Sequence, residues 1–405
     1  VKDSFFIKTR FAIFWTAFFS ESFLAFFTGL LPFILIKDLA ASPFCLSLLM
    51  TLKPAVSVFS FYWSSTTHRN SQNLKKSLLF SGLFSYLPFL FYPLFDHVWY
   101  LIFASTLFIL FSKASFPAWM EILKINLEKE SREKLFSLGA MIGYAEGALL
   151  GIFIGPLLDA HASSWKLLLL LSALLGMSSV WVQWKTPLRR VPPGEKPHAP
   201  FTLLQPWKEG LALLRSHKDF AQYQLGTMLN GFGIMLALPA LTIFFSDHLK
   251  LTHAEMTMGR YVFMAIGYVL FSPLWAKAFS RFSIHFLTAI TCIGFGLYPL
   301  FSMLGQSAHC WVFFALFLYG ITQAGSHLIW NLSGPIFAKE KESAPFSAIN
   351  ILSIGLRGLI APLTGGFLCQ YFSPMPVLIL GALICFSGSW QMFKKPLEIS
   401  ETEKI

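Results

Sequence analysis

"KTPLRRVPPGEKPHAPFTLLQPWKEGLALLRSHKDF", residues 185 to 220, interrupts a chain that is otherwise one apolar run after another. It is basic, polar and rich in proline, as befits a linker held in water. What flanks it is of the opposite kind. Over 405 residues the chain is 55% hydrophobic, 17% aromatic and only 13% charged, against about 25% charged in soluble proteins. A mean hydropathy of +0.61 completes the composition of a membrane protein.

Stretches of about 20 apolar residues, each long enough to cross a ~30 Å hydrocarbon core as a helix, recur on both sides of the linker. Twelve are read: 11–35, 43–63, 77–95, 98–120, 135–158 and 165–184 before it, and 220–245, 259–279, 284–304, 310–332, 347–368 and 374–392 after it. Lipid cannot satisfy exposed backbone groups, and the runs are too long for barrel strands, so helices are expected. The organisation is thus a six-helix half (1–184), a cytoplasmic linker (185–219), a second six-helix half (220–392) and a tail (393–405). Within the linker Leu203, Trp207, Leu211 and Leu214 fall at helical spacing. A short helix there lies along the inner membrane surface or packs on the protein's own inner face.

The net charge is +11, but its placement matters more than its size. With both termini inside, 24 of the 31 Lys and Arg fall in inner segments, and only Lys37, Lys166, Lys250 and Arg260 fall in outer ones. This is the positive-inside rule, so the basic balance reports topology and not a nucleic-acid partner. A multi-pass protein of a plasma or inner membrane follows, with the lipid bilayer around it and both termini cytoplasmic. The first run is of full spanning length and lacks a small-residue cleavage site, so it is expected to be the first span. One consequence is directly measurable. Lys196→Cys is expected to resist an impermeant thiol reagent applied to intact cells, and Asp96→Cys to react; efficient labelling at position 196 would overturn the topology.

The halves echo each other. "WSSTTHR" (63–69) after the second span and "WAKAFSR" (275–281) after the eighth are offset by 212. Trp119 matches Trp330 at an offset of 211, and Phe136-Ser137 matches Phe346-Ser347, as Gly155 matches Gly365, at 210. Several ordered matches at nearly constant offset indicate two homologous halves, a signature of secondary transporters.

At these residues the chain resembles the major facilitator superfamily. That family's loop after span two carries Gly-x-x-x-Asp-Arg-x-Gly; here Ser64 takes the Gly place and His68-Arg69 the Asp-Arg place, and the second copy keeps Arg281 behind Ser280. The resemblance implies an all-α membrane fold of twelve transmembrane helices in two pseudo-symmetric halves, and a secondary active transporter working by alternating access. It also assigns Arg69 and Arg281 to the inner gate, against the alternative that both are positive-inside anchors. "GIFIGPLLD" (151–159) is similar to the Gly-x-x-x-Gly-Pro motif of proton-driven drug exporters.

That motif ends a ladder of glycines at 139, 143, 147, 151 and 155, which share one slowly winding helix face and let another helix approach closely. In the family, span five meets span eight, so Gly147 and Gly151 are expected in a rocking, gating surface; static small-residue packing is the alternative.

Deep in the spans lie Glu21, Lys53, Lys113 and Glu146 in the first half and Arg357 alone in the second. An unpaired charge there costs at least ~2.5 kcal/mol. Three cations against two carboxylates leave one positive charge, which an anionic substrate group would balance. Arg357, Lys113 and Lys53 are therefore expected to bind substrate, with Asn230 and Gln323 adding neutral hydrogen bonds in the cavity that the family lines with spans one, four, seven and ten. Glu146 or Glu21 is expected to exchange the coupling proton. In the structural alternative, pairs such as Lys113–Glu146 only fix packing.

The expected function is secondary active, proton-coupled transport of a small organic anion or zwitterion. The alternatives are a drug or amphiphile exporter, favoured by 45 Phe, and a non-transporting sensor. Against the exporter, "FASTLFIL" (103–110) lacks the arginine that such exporters often carry early in span four. No His-x-x-x-Asp, His-Glu-x-x-His or nucleophile elbow falls inside a span, so an enzyme is not expected, nor a cofactor. Asp247, His248, His253 and Glu255 are read as a solvated outer turn and not a metal site. The five cysteines, without a C-x-x-C pair, are read as small buried hydrophobes.

Overall fold

The computed structural model describes residues 2–67, 71–95, 97–161, 163–188, 205–338 and 343–394. Each of the expected apolar stretches holds a long helix: α1 (Phe5–Lys37), α4 (Val98–Asn126), α6 (Ser164–Lys185), α7 (Lys218–His248), α8 (His253–Phe279), α9 (Ile284–Gln306), α10 (Cys310–Ala338) and α12 (Pro374–Phe393), with α2 (Pro43–Thr67), α3 (Ser71–Leu90), α5 (Lys129–Ala160) and α11 (Ala344–Tyr371). Among the described residues nine are long and apolar enough to cross a membrane, all but α2, α3 and α5. The first, seventh and eighth widen into π-helical turns at Phe26–Leu30, Phe244–His248 and Met258–Phe263.

Two compact units result. One comprises Val1–Ala41, Phe59–Pro197 and Thr252–Thr257, and the other Ser42–Val58, His198–Leu251 and Met258–Ile405. The division differs from two consecutive halves by the exchange of two short segments, starting at Ser42 and Thr252, which are 210 residues apart, the offset of the internal repeat.

In the first unit α1 packs on α5 and α6, and α3 on α4 and α6. Toward one end of these helices Ala12, Leu78, Ala118, Ile122 and Leu123 form a dry core, and further along α1 Phe23 and Phe27 meet Tyr86, Phe89 and Phe108. Burying one large apolar side chain is worth about 1.5–3 kcal/mol in water; in lipid that drive is absent, and shape and polar contacts decide which helices pair. Polar contacts duly mark α1: Trp15 Nε1 donates to Ser178 Oγ (3.2 Å) and Gln183 Nε2 to Thr16 Oγ1 (3.1 Å), both from α6.

In the second unit α7 lies against α11 and α12. Glycines permit the closeness: a Cβ at Gly381 would fall 2.8 Å from the Gly233 carbonyl oxygen, and one at Gly388 would fall 2.9 Å from that of Gly226. The segment 43–58 of α2 packs on α11, with Pro54 Cγ beside Gly358 and Ser47 beside Gly366.

The linker helix, Gln205–Ser216, packs on the protein. Leu213 and Leu214 join the core built around Phe220 and Phe346, and Gly210 faces Ile349, while Leu211 is exposed. Of the two placements left open for this helix, the one against the protein's own face is found. The cysteines correct one expectation. Cys45, Cys292 and Cys385 are buried and all five are free, but Cys310, at the first turn of α10, is exposed.

Candidate substrate and coupling sites

Arg357 lies in a polar seam between α11 and α7. On α11, Asn350, Ser353 and Arg357 succeed one another at three- and four-residue steps, and so do Gln224, Thr227 and Gly231 on α7, so each set occupies one helix face. Gln224 donates from Nε2 to the Asn350 amide oxygen and accepts from Ser353 Oγ at 3.1 Å; Asn350 Nδ2 donates to Ser333 Oγ of α10 at 2.8 Å. Where this network stops, the guanidinium begins. Its Nη1 donates to the Thr227 carbonyl at 2.6 Å, and it lies over Gly231, where a Cβ would fall 2.6 Å from Nη1.

The charge itself is not neutralised within reach. Among the described residues no carboxylate lies within 4 Å of Arg357, and its buried Nε has no hydrogen-bond partner. A carbonyl dipole offsets only part of the cost of a charge withdrawn from water.

Asn230 and Gln323, expected at the substrate site, are held by contacts of their own. Asn230 is buried where α7 meets α12: its backbone carries the close approach of Gly388, its carbonyl accepts from Cys385 Sγ at 3.4 Å, and its side-chain Oδ1 has no partner among the described residues. Gln323 of α10 donates to its own neighbour Tyr319 Oη at 2.6 Å. No hydrogen bond joins Arg357, Asn230 and Gln323 to one another among the described residues. Lys53 belongs, with the rest of 42–58, to the second unit, so the set Glu21, Lys53, Lys113 and Glu146 is not confined to the first. Lys113 is half-buried on α4. The Glu21 side chain and Arg69 lie outside the described residues, and Arg281 is exposed just past the end of α8.

Glu146 is buried near the middle of α5 and accepts a hydrogen bond from Ser22 Oγ of α1. A hydroxyl can donate to a carboxylate and, after rotating, accept from a carboxylic acid, so this contact survives either protonation state. Around the ladder, a Cβ at Gly139 would fall 3.4 Å from Ala17 and Ile13 of α1, ordinary contact, and a Cβ at Gly147 would meet nothing within 4 Å among the described residues. The tight place is Gly155, where a Cβ would fall 2.6 Å from Ala254 Cα and collide with Thr257 Oγ1.

That contact anchors the start of α8 and corrects the reading of His253 as part of a solvated turn, while Asp247 and His248 are exposed as expected. Thr252 and Glu255 cap each other, Glu255 N donating to Thr252 Oγ1 (3.1 Å) and Thr252 N to Glu255 Oε2 (2.8 Å). Asp159, at the end of α5, accepts from His253 N at 2.8 Å and from Ala254 N at 2.9 Å. His253 is only 4% exposed. Partial burial opposes ionisation of Asp159, but the Ala254 and His253 N–H groups and the His253 ring outweigh it and hold the carboxyl below its ordinary value. The lowered value means that the contact's stabilisation is present above about pH 4 and is lost as pH falls through the Asp159 titration.

A further cavity, about 710 Å³ in volume, runs along one face of α1, lined by Arg10 and the rings of Phe11, Phe14, Trp15, Phe18 and Phe19. Its size is that of ligand pockets, ~300–1,000 Å³. The helical spacing of these residues was visible in the sequence, yet a ring facing lipid and a ring facing a cavity have the same pattern.

Paired apolar helices, glycine-mediated contacts and charged side chains within the apolar interior describe a membrane protein. The chain belongs to the Major Facilitator Superfamily, whose family model matches residues 12–223, more than half of its length. Among solved structures it is similar to a bacterial homologue of the human lysosomal transporter Spinster, captured inward-facing and unoccupied (15% identity, 97% of this chain and 98% of that one, TM-score 0.61). It is also similar to a mutant of the nucleoside transporter NupG (12%, 95% and 99%, TM-score 0.76) and to a mutant of the peptide transporter POT (12%, 95% and 93%, TM-score 0.72). At such identities the likeness is one of fold. Comparison with curated protein sequences gives no match.

Proposed function

We propose that the protein is a secondary active transporter that moves a small organic anion or zwitterion by alternating access, with protons as the coupling ion. The observation that carries this reading is Arg357, a deep guanidinium with no carboxylate within 4 Å among the described residues and a buried Nε left over. A planar fork of this kind suits a carboxylate or phosphate. Lys113 and Lys53 supply further positive charge, Asn230 and Gln323 neutral donors and acceptors, and Glu146, with Glu21, the exchangeable proton. Arg69 and Arg281 hold the inner side closed, and Gly147 and Gly151 belong to the surface on which the helices rock.

A second reading, an amphiphile exporter, draws support from the aromatic cavity along α1. A thermal-shift screen of the purified protein against solutes grouped by charge separates these. Specific binding at ~100 Kd of ligand stabilises by about 2.7 kcal/mol, so anions or zwitterions are expected to raise the melting temperature and lipophilic cations to leave it unmoved. Stabilisation by cations alone would overturn the proposal.

A further inference from the structure

His253 stands between two carboxylates. Its Nε2 lies 2.9 Å from Asp38 Oδ2, just past the end of α1, and its Nδ1 lies 2.9 Å from Asp159 Oδ1, near the end of α5. The two ring nitrogens point to opposite sides, so the three groups do not converge on a common point as metal ligands would, and the described residues hold no metal-binding cluster. A neutral imidazole has one N–H and can donate to only one of the two carboxylates, leaving its other nitrogen's lone pair against an oxygen. An imidazolium donates to both. Among the described residues, other charged groups near the ring include Lys37, whose Nζ sits 5.3 Å over Phe33, itself edge-on to His253 at 5.7 Å, and Glu255 on the histidine's own segment.

The placement gives this proton site leverage. Thr252–Thr257 is held in the first unit, yet the chain before it and after it belongs to the second. The segment at the equivalent repeat position begins at Ser42, where Pro43 stands 210 residues before His253, and Cys369 stands 210 residues after Asp159. The other repeat thus has no imidazole at the His253 position and no carboxylate at the Asp159 position.

We propose that Asp38, His253 and Asp159 form a proton-binding latch on the face that the charge distribution makes external: a protonated His253 ties the start of α8 to the ends of α1 and α5, and loss of that proton loosens it. The latch depends neither on the identity of the solute nor on Arg357. Proton uptake from outside would therefore favour the state in which this end is fastened, a coupling separate from Glu146.

The test is amide hydrogen exchange on the full-length purified protein, read for the peptide containing His253 and Ala254, whose N–H groups bond to Asp159. Rates are corrected for intrinsic base catalysis across about pH 5 to 9. Protection is expected to fall about tenfold or more as pH rises across this range and the proton is lost. His253→Gln, which donates from one end only and does not titrate, should abolish the step. Asp38→Asn, which leaves the ring and Asp159 in place, should shrink it. Protection independent of pH in the parent, or an undiminished step in His253→Gln or in Asp38→Asn, would overturn the proposal.

Discussion

Gly155→Leu is expected to lower the melting temperature of the purified protein by about 10 °C and to abolish transport, while Gly147→Leu leaves the melting temperature within a few degrees. The difference is steric. A side chain at position 155 would start 2.6 Å from Ala254 Cα and 2.9 Å from Ala254 N, and a backbone cannot yield as a flexible side chain can. Overpacking of this kind costs ~1–3 kcal/mol. Pushing α8 off α5 also breaks the two backbone bonds to Asp159, each to a charged acceptor and worth ~1.5–3 kcal/mol. Several kcal/mol at about 2–4 °C each gives the expected shift. At Gly147 a Cβ meets nothing within 4 Å among the described residues, so no backbone clash of this kind starts there. Equal melting temperatures for the two variants would show that α5 does not meet α8 at Gly155.

The same glycines show what the sequence could reveal. Four-residue spacing announced an interface; at Gly365, the 210-residue counterpart of Gly155, a Cβ likewise collides, with the Leu236 backbone of α7. Helix existence was legible because lipid leaves the backbone no other way to satisfy itself. Partners were not. Spacing tells which face of a helix a residue occupies but not which helix that face meets, so Ser22 as the donor to Glu146 and the Thr227 carbonyl under Arg357 had no separate signal among the many serines and threonines. Polar residues inside apolar runs were a usable signal left unread: Gln224 and Asn350 stand in "QYQLGTMLN" and "SAINILSI", and they build the seam that leads to Arg357. His253 was misread for a related reason. A short outer loop rich in charge has the composition of a solvated turn, and only the helix ends at Asp38 and Asp159, remote in sequence, make His253 a buried contact.

Arg357→Ala is expected to weaken binding of the anionic solute by about thirtyfold or more, since truncating one partner of a buried charged contact costs ~2–5 kcal/mol. Arg357→Lys should fall between, keeping the charge but losing the planar fork. The variants should fold, because the contact given up inside the protein is one hydrogen bond to a backbone carbonyl, at Thr227, and a deep charge with no carboxylate within reach is no asset to stability. The most direct test of the central claim is therefore the dissociation constant, by calorimetry on the folded parent and both variants, of whichever anion or zwitterion stabilises the parent. The account predicts the order parent, Arg357→Lys, Arg357→Ala, from tightest to weakest, with the neutral analogue of the same solute bound poorly by all three; an Arg357→Ala protein that binds the anion as tightly as the parent would contradict it.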